Sequence, residues 1–249
     1  MSVQIVSYTY GTAIQAVCKL VGHPVPVDPA GSTDPAVMQI GEAINFALQE
    51  LLTMHEWQDL TTKTSLSILA DSSGQEEKGF ALPGDFYRFI DQTQWNADSM
   101  IPAGGPVSNQ AWMVYTVRDY APQLTFYWQM RGDLLWVLAP PYPTPVNFEY
   151  MYLSSAQVVD ADNPTLYKNT ASKNNDTFLL DSFVIMLLGR SRYLEWKGFD
   201  ASAAVRDFLS IYNSRAGADK GAPILNLSSR RGMQLISPWN SLSDTGYGV

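Results

Sequence analysis

The chain has 249 residues, of which 46% are hydrophobic, 12% aromatic and only 16% charged. Its formal net charge of -8 disfavours a broad electrostatic grip on nucleic acid, which depends on clustered Lys and Arg. A single cysteine, Cys18, and two histidines, His23 and His55, exclude an intrachain disulfide and a cysteine-based zinc site, and they disfavour histidine catalysis.

Two helices are predicted near the start of the chain. Apolar residues at helical spacing predict the first from Thr12 to Val21, and Gly22 with the following prolines ends it. Asp34 as N-cap and Pro35 in the first turn predict a second helix that runs to about Trp57. Its apolar residues form one stripe: Val37, Ile40, Ile44, Leu48 and Leu51. Both helices therefore have a face to bury, and Cys18 is interpreted as a small core residue.

A strand-rich region follows, from Asp59 to about Ser155. Alternation and turn residues predict a strand over residues 61–69 and a short strand before a Pro83-Gly84 turn, which an apolar segment follows up to Ile90. A hairpin is predicted between residues 124 and 139, because Gly132 permits the positive φ that its turn requires. Residues 71–74 are predicted as a turn, and residues 140–145, rich in proline, as a stiff extended linker.

The last predicted strand covers residues 146–154, where alternation places Phe148, Tyr150 and Tyr152 on one face. Residues 110–119 fit either a helix or a strand.

The chain then returns to helix. Asp176 is predicted to cap a long helix from Thr177 to Lys197, whose centre, residues 183–188, is apolar nearly all round and is expected to be buried. Asp200 is predicted to cap a last helix from Ala201 to Ala216, with Gly217 as its end.

The remaining residues, 218–249, predict an extended arm, because glycines and prolines interrupt any helix. Its apolar content suits a segment that lies along a surface, either its own domain or another chain. The candidate partner-binding residues are Ile224, Leu225, Leu227, Arg230, Arg231, Met233, Leu235, Ile236 and Trp239.

The expected fold class is therefore α+β. Residues 1–58 and 165–217 are predicted to form a small helical bundle, and residues 59–164 an inserted antiparallel β-rich subdomain. Residues 218–249 form the C-terminal arm. No apolar run approaches the roughly 20 residues of a membrane span and the start has no signal-like pattern, so we expect neither a membrane protein nor signal-directed export.

Motifs for catalysis are absent from the sequence. It has no phosphate-binding loop, dinucleotide fingerprint or nucleophile elbow. Four carboxylates in the β-rich region, beside Trp95, Trp112 and Trp128, leave a glycoside hydrolase or a carbohydrate-binding or tail-accessory module as alternatives, although no spacing selects a catalytic pair. These carboxylates are Asp85, Asp91, Asp98 and Glu149.

Basic residues are concentrated in two places: Arg190 with Arg192, and Arg230 with Arg231. They suit partners that carry carboxylates, and a solvated helix face or linker explains them equally well. The seven tryptophans and thirteen tyrosines, with few charges, fit either a large core or a surface covered by other proteins.

Several short strings, in order along residues 9–216, resemble the head-to-tail adaptor proteins of short-tailed phages. They are the helix ending in Leu20-Val21-Gly22-His23-Pro24-Val25, the helix from Pro35 to Glu56-Trp57, the string from Phe80 to Ile90, Leu138 to Pro143 followed by Phe148 to Tyr152, and the helix Asp181 to Trp196.

The resemblance implies a structural protein of the virion neck or tail, assembled in the host cytoplasm, with no enzymatic activity and no cofactor. It implies a dodecameric ring beneath the portal protein that continues the DNA channel without specific DNA binding and carries the tail nozzle or fibre proteins. The C-terminal segment would contact the portal, a role that falls here to residues 224–239, including Arg230 and Arg231; a neighbouring copy of the adaptor is the alternative partner of this segment.

Overall fold

The structure is a computed structural model, and it describes residues 8–68, 76–117, 126–139 and 146–219. Within these ranges the protein is mixed α+β, with five helices and antiparallel sheets, as the sequence predicted. The helices are α1 (Tyr10–Val21), α2 (Pro35–Met54), α3 (Asn109–Val117), α4 (Ser182–Trp196) and α5 (Ser202–Asp219). The strands are β1 (Thr61–Ile68), β2 (Glu76–Ala81), β3 (Phe86–Phe89), β4 (Trp95–Asn96), β5 (Ile101–Pro102), β6 (Tyr127–Arg131), β7 (Leu134–Ala139), β8 (Val146–Ser154), β9 (Val158–Val159), β10 (Tyr167–Lys168) and β11 (Thr177–Phe178).

The end of α1 and the start of α2 are as predicted, whereas α1 begins at Tyr10, two residues before its predicted start. Gly22 takes the left-handed conformation, with φ 73°, at the end of α1. The Asp34 carboxylate accepts a hydrogen bond of 2.9 Å from the Ala36 N–H and caps α2. Helix α2 ends at Met54, earlier than predicted, because His55 is already extended.

The larger core lies among α1, α2, α4 and α5. Helix α4 packs against the other three and buries residues on most of its circumference, as expected from its apolar centre. Cys18 is fully buried there, as predicted, and burial raises the pKa of its thiol. Leu153 of β8 and Val158 of β9 are buried in the same core, so this core connects the helices to the strands.

Strand β8 is the centre of the largest sheet. It pairs antiparallel with β1, from Thr61 opposite Leu153 to Ile68 opposite Val146, and also with β3 and β4. The predicted shared face is confirmed, because Phe148, Tyr150 and Tyr152 are all buried in a second core.

The predicted hairpin is β6 and β7, which join β2 in a three-stranded sheet. Arg131 lies opposite Leu134, so the turn has two residues, and Gly132 has the expected positive φ of 57°. The segment 110–119, which fitted either element, is helical over α3.

The prediction that Asp176 caps the long helix is wrong. Its carboxylate accepts hydrogen bonds from the Ala161, Ser172 and Lys173 N–H groups and so closes a loop, while Thr177 and Phe178 form β11. The cap is Asp181, whose carboxylate accepts from the Phe183 N–H at 2.9 Å. Asp176 and Asp181 both precede the apolar run of α4. Asp176 lies outside the helix because its carboxylate is hydrogen-bonded within the loop.

The prediction that Gly217 ends the last helix is also wrong. The Asp200 carboxylate accepts from the Ser202 N–H at 2.9 Å, as expected of a cap. Helix α5 continues through Gly217 to Asp219, whose carboxylate hydrogen-bonds to His55 and Gln58. These tertiary bonds hold the final turn of the helix against the low helix propensity of glycine.

Some predictions fall outside the described residues: the turn at 71–74, the linker at 140–145 and the arm from residue 220 onward, with all nine candidate partner-binding residues. Of the helices that the structure describes, none combines the length and apolar character of a membrane span.

Candidate functional site

The start of the arm is fixed on the helical body. At the end of α5, the Asp219 carboxylate lies 2.9 Å from Nε2 of His55 and 3.2 Å from the backbone nitrogen of Gln58. His55 is buried, with its ring edge-on to Trp57 at 4.7 Å between centroids. This histidine therefore has a structural role, and it holds the last turn of α5 beside the end of α2.

An apolar groove of about 510 Å³ runs between α1 and α4. Its apolar lining is Ala16 and Leu20 from α1 and Phe183, Met186 and Leu187 from α4. Two basic residues, Lys19 and Arg190, also line it. The Arg190 Nε atom is buried and makes no hydrogen bond, and Nη1 is 3.8 Å from the Asp207 carboxylate. We call this feature the α1/α4 groove.

A second apolar surface lies on the outer face of α2. Met38, Glu42 and Phe46 follow each other at four-residue steps, and all three are exposed, Met38 at 57% and Phe46 at 49%. The Phe46 ring meets the ring of Trp196 edge-on at 5.7 Å, and Trp196 is itself half exposed. We call these four residues the α2 stripe.

The sequence contains a weak signal for both surfaces, although the predicted elements did not include them. Met38 and Phe46 are apolar but lie off the predicted buried stripe of α2, and Leu20 is an exposed apolar residue on α1. Large apolar residues outside the core stripe of a helix are a pattern typical of contact surfaces when they lie together.

The arginines of α4 are less available to a partner than their sequence suggests. Arg192 forms a fork with the Glu50 carboxylate of α2 and also pairs with Glu195. The bonds with Glu50 raise the pKa of the Arg192 guanidinium. Arg192 therefore links α4 to α2, and only Arg190 is placed in a groove.

The carboxylates of the β-rich region have local structural partners. The two oxygens of Asp85 accept from the Tyr152 hydroxyl at 2.9 Å and from the Ser154 hydroxyl at 2.7 Å. Burial and the bond with Asp85 raise the pKa of Tyr152 to about 12. Asp98 accepts from the Asn147 N–H at 2.7 Å, and these bonds shape the sheet edges.

The three candidate tryptophans, Trp95, Trp112 and Trp128, do not form an exposed platform. Trp112 and Trp128 are only 2% and 3% exposed, and Trp95 is half buried. Glu149 pairs with Lys63 at 2.6 Å, and Asp91 lies exposed in a turn. The structure thus gives no support to a sugar cleft built from these side chains.

A cluster of charged side chains organises the loop before α4. Lys168 Nζ lies 2.8 Å from an oxygen of Asp160 and 2.7 Å from an oxygen of Asp176, and Lys173 Nζ lies 3.0 Å from Asp160. Hydrogen bonds from Lys168, the Asp162 N–H and Lys173 hold the pKa of Asp160 well below its usual value. We call Asp160, Lys168, Lys173 and Asp176 the loop ion cluster.

The described residues contain no group of three or more His, Cys, Asp or Glu side chains placed to hold a metal ion. The loop ion cluster instead satisfies its carboxylates with lysines.

The chain was compared with models of known protein families. The model of a family described as SU10 adaptor protein matches residues 8–234 of the chain, which include the helical body, the β-rich region and the first half of the arm. No curated protein matches the chain.

Proposed function

This chain belongs to the SU10 adaptor protein family, which indicates a structural adaptor of a phage particle, and we propose that it joins the capsid portal to the tail. The single observation that carries the proposal is the family match over residues 8–234. In this role the protein is a component of the virion, it works by assembly and it has no catalytic activity.

We place copies of the chain in a ring between the portal protein and the nozzle or fibre proteins of a podovirus tail, with twelve copies as the resemblance implies. Two exposed apolar surfaces on the helical body, the α1/α4 groove and the α2 stripe, support contact with other chains. A low content of charged residues and a high content of aromatic residues suit a subunit that is covered on several sides.

The arm is the proposed portal contact. Residues 220–249 contain three basic residues, Lys220, Arg230 and Arg231, and one acidic residue, Asp244, so they carry +2 of the total of -8 and residues 1–219 carry -10. An arm with apolar anchors and a pair of arginines suits a partner with an apolar surface and carboxylates.

Removal of the arm tests this proposal. A chain that ends at Asp219 keeps the bonds of Asp219 to His55 and Gln58, so we expect its midpoint of thermal unfolding to stay within a few degrees of the full chain. We expect its affinity for the purified portal protein of the same phage to fall at least tenfold, measured by biolayer interferometry.

A second variant makes the test specific. The double variant Arg230→Glu with Arg231→Glu keeps the length and is expected to weaken portal binding in the same direction. Portal binding that is unchanged in the shortened chain would contradict the role of the arm, and a shortened chain that is unfolded at 25 °C would show that the arm packs on its own body.

A further inference from the structure

We propose that the α2 stripe of one copy seats in the α1/α4 groove of a second copy, and that this contact repeats from subunit to subunit. The inference rests on the proposed function, since it names the surfaces through which the ring would form. Its partner is a second copy of this chain.

The two surfaces lie on different sides of the helical body. Helix α2 contributes nothing to the lining of the groove, whereas three of the four stripe residues lie on α2. On α4, Trp196 is rotated by roughly 130° from the mean direction of Phe183, Met186, Leu187 and Arg190, at 3.6 residues per turn. One copy can therefore contact two neighbours at once, one through each surface.

The chemistry of the surfaces is complementary. The stripe presents exposed Met and aromatic side chains with one carboxylate, Glu42, between Met38 and Phe46. The groove presents an apolar floor with two basic groups, Lys19 and Arg190. Among the described residues, neither Lys19 nor Glu42 has an ion-pair partner within its own chain. When the stripe lies in the groove, the Glu42 carboxylate lies near these two cations and beside an apolar surface. Solvent screens the attraction between the charges less there than in open water.

Contact between two different surfaces has a geometric consequence. Such a head-to-tail contact leaves one stripe and one groove free after every addition, so it repeats from copy to copy and gives a ring when the rotation between neighbours closes. A contact of a surface with itself would stop at a dimer. The pair of surfaces thus explains assembly into a ring with residues that lie within the described body and independently of the arm.

Paired cysteines test the contact in the assembled state. In a chain with Met38→Cys and Leu20→Cys, bound to portal and mildly oxidised, disulfides between neighbours should give a ladder of covalent multimers on a denaturing gel. Both positions are about half exposed, which favours normal folding, and native Cys18 is fully buried. The matched control is Met38→Cys with Val27→Cys, because Val27 is 99% exposed in the connection between α1 and α2 and outside the groove lining.

Charge reversal in the Met38→Cys, Leu20→Cys chain adds a second readout. Glu42→Lys should reduce the multimers at least fivefold, and Lys19→Glu added to Glu42→Lys should restore most of them. A ladder as strong in the Val27→Cys control, or no ladder while portal binding is intact, would overturn the contact and leave the adaptor function standing. A failure of the unmodified chain to bind portal would contradict the proposed function itself.

Discussion

At the scale of single residues, Gly189 of α4 marks the point where this helix packs closely on Ile44 of α2. The apolar centre of α4 indicated burial all round, and Ile185 and Leu188 are buried as expected. The pattern did not show that Gly189 packs directly on α2. A β-carbon at Gly189 would lie 2.9 Å from Cγ1 and 3.3 Å from Cα of Ile44. Such contacts join residues that are distant in the chain, so local spacing carries no signal for them.

We expect Gly189→Ala to destabilise the protein by about 1–3 kcal/mol, because the added methyl group must displace a branched side chain and its backbone in a packed core. Urea unfolding monitored by circular dichroism measures this change. The matched control is Gly217→Ala in α5, where a β-carbon meets no atom within 4 Å. The control should gain up to about 1 kcal/mol, because alanine favours helix over glycine. Equal stability of the two variants would contradict the tight packing of α2 on α4.

At the scale of elements, capping residues predicted the start of α2 and misplaced the start of α4. Asp34 stands alone before an apolar stripe, and it caps α2 as predicted. Asp176 and Asp181 both precede the apolar run of α4, and propensity cannot choose between them. Lys168 and three backbone N–H groups bind the Asp176 carboxylate in the loop, so Asp181 is left to cap α4. These partners all precede Asp176 in the chain, so a helix signal that looks only forward along the chain misses them.

We expect Asp176→Ala to lower the free energy of unfolding by about 2–4 kcal/mol, since it removes a buried carboxylate from several charge-assisted hydrogen bonds. Its control is Asp162→Ala, whose carboxylate is exposed and pairs with Lys173 at 2.6 Å. The control should cost less than about 1 kcal/mol, as exposed ion pairs do. Chemical denaturation at pH 7 separates the two values, and a control as costly as Asp176→Ala would contradict the role of the buried carboxylate.

The loop ion cluster also predicts how stability depends on pH. Burial alone would raise the pKa of Asp176, but the bonds from Lys168, Lys173, Ser172 and Ala161 outweigh it, and the pKa of Asp176 is lowered, as is that of Asp160. A carboxyl group with a lowered folded pKa stabilises the protein above its unfolded pKa of about 3.9 and loses this stabilisation as the pH falls further. At pH values below about 4, the melting temperature should therefore decrease, and it should decrease less steeply in Asp176→Ala than in the unmodified chain. An identical pH dependence in both proteins would contradict this account.

At the scale of the whole molecule, the sequence predicted the order of helical and strand-rich regions and could not predict how the strands pair. The pairing of Thr61 with Leu153 joins residues on either side of the whole β-rich region, and the short strands β9 to β11 have too few residues for a periodic signal. The candidate site was predicted in the arm, while the α1/α4 groove and the α2 stripe become visible only when α1, α2 and α4 are packed together. Such surfaces are formed by segments that are distant in the chain, so the residue pattern of any single segment does not reveal them.

Charge at this scale bears on the proposed passage of DNA through a ring. Residues 1–219 carry 13 basic and 23 acidic residues, so the folded body can neutralise few phosphates and would let a duplex slide. We expect the purified protein, at about 10 μM, to leave a short DNA duplex unretarded in a gel-shift assay at about 150 mM salt. The chain that ends at Asp219 should bind even less, because it lacks Lys220, Arg230 and Arg231. Retention of the duplex by the shortened chain at this salt concentration would contradict a channel that DNA crosses without binding, since the acidic body would then itself hold the phosphates.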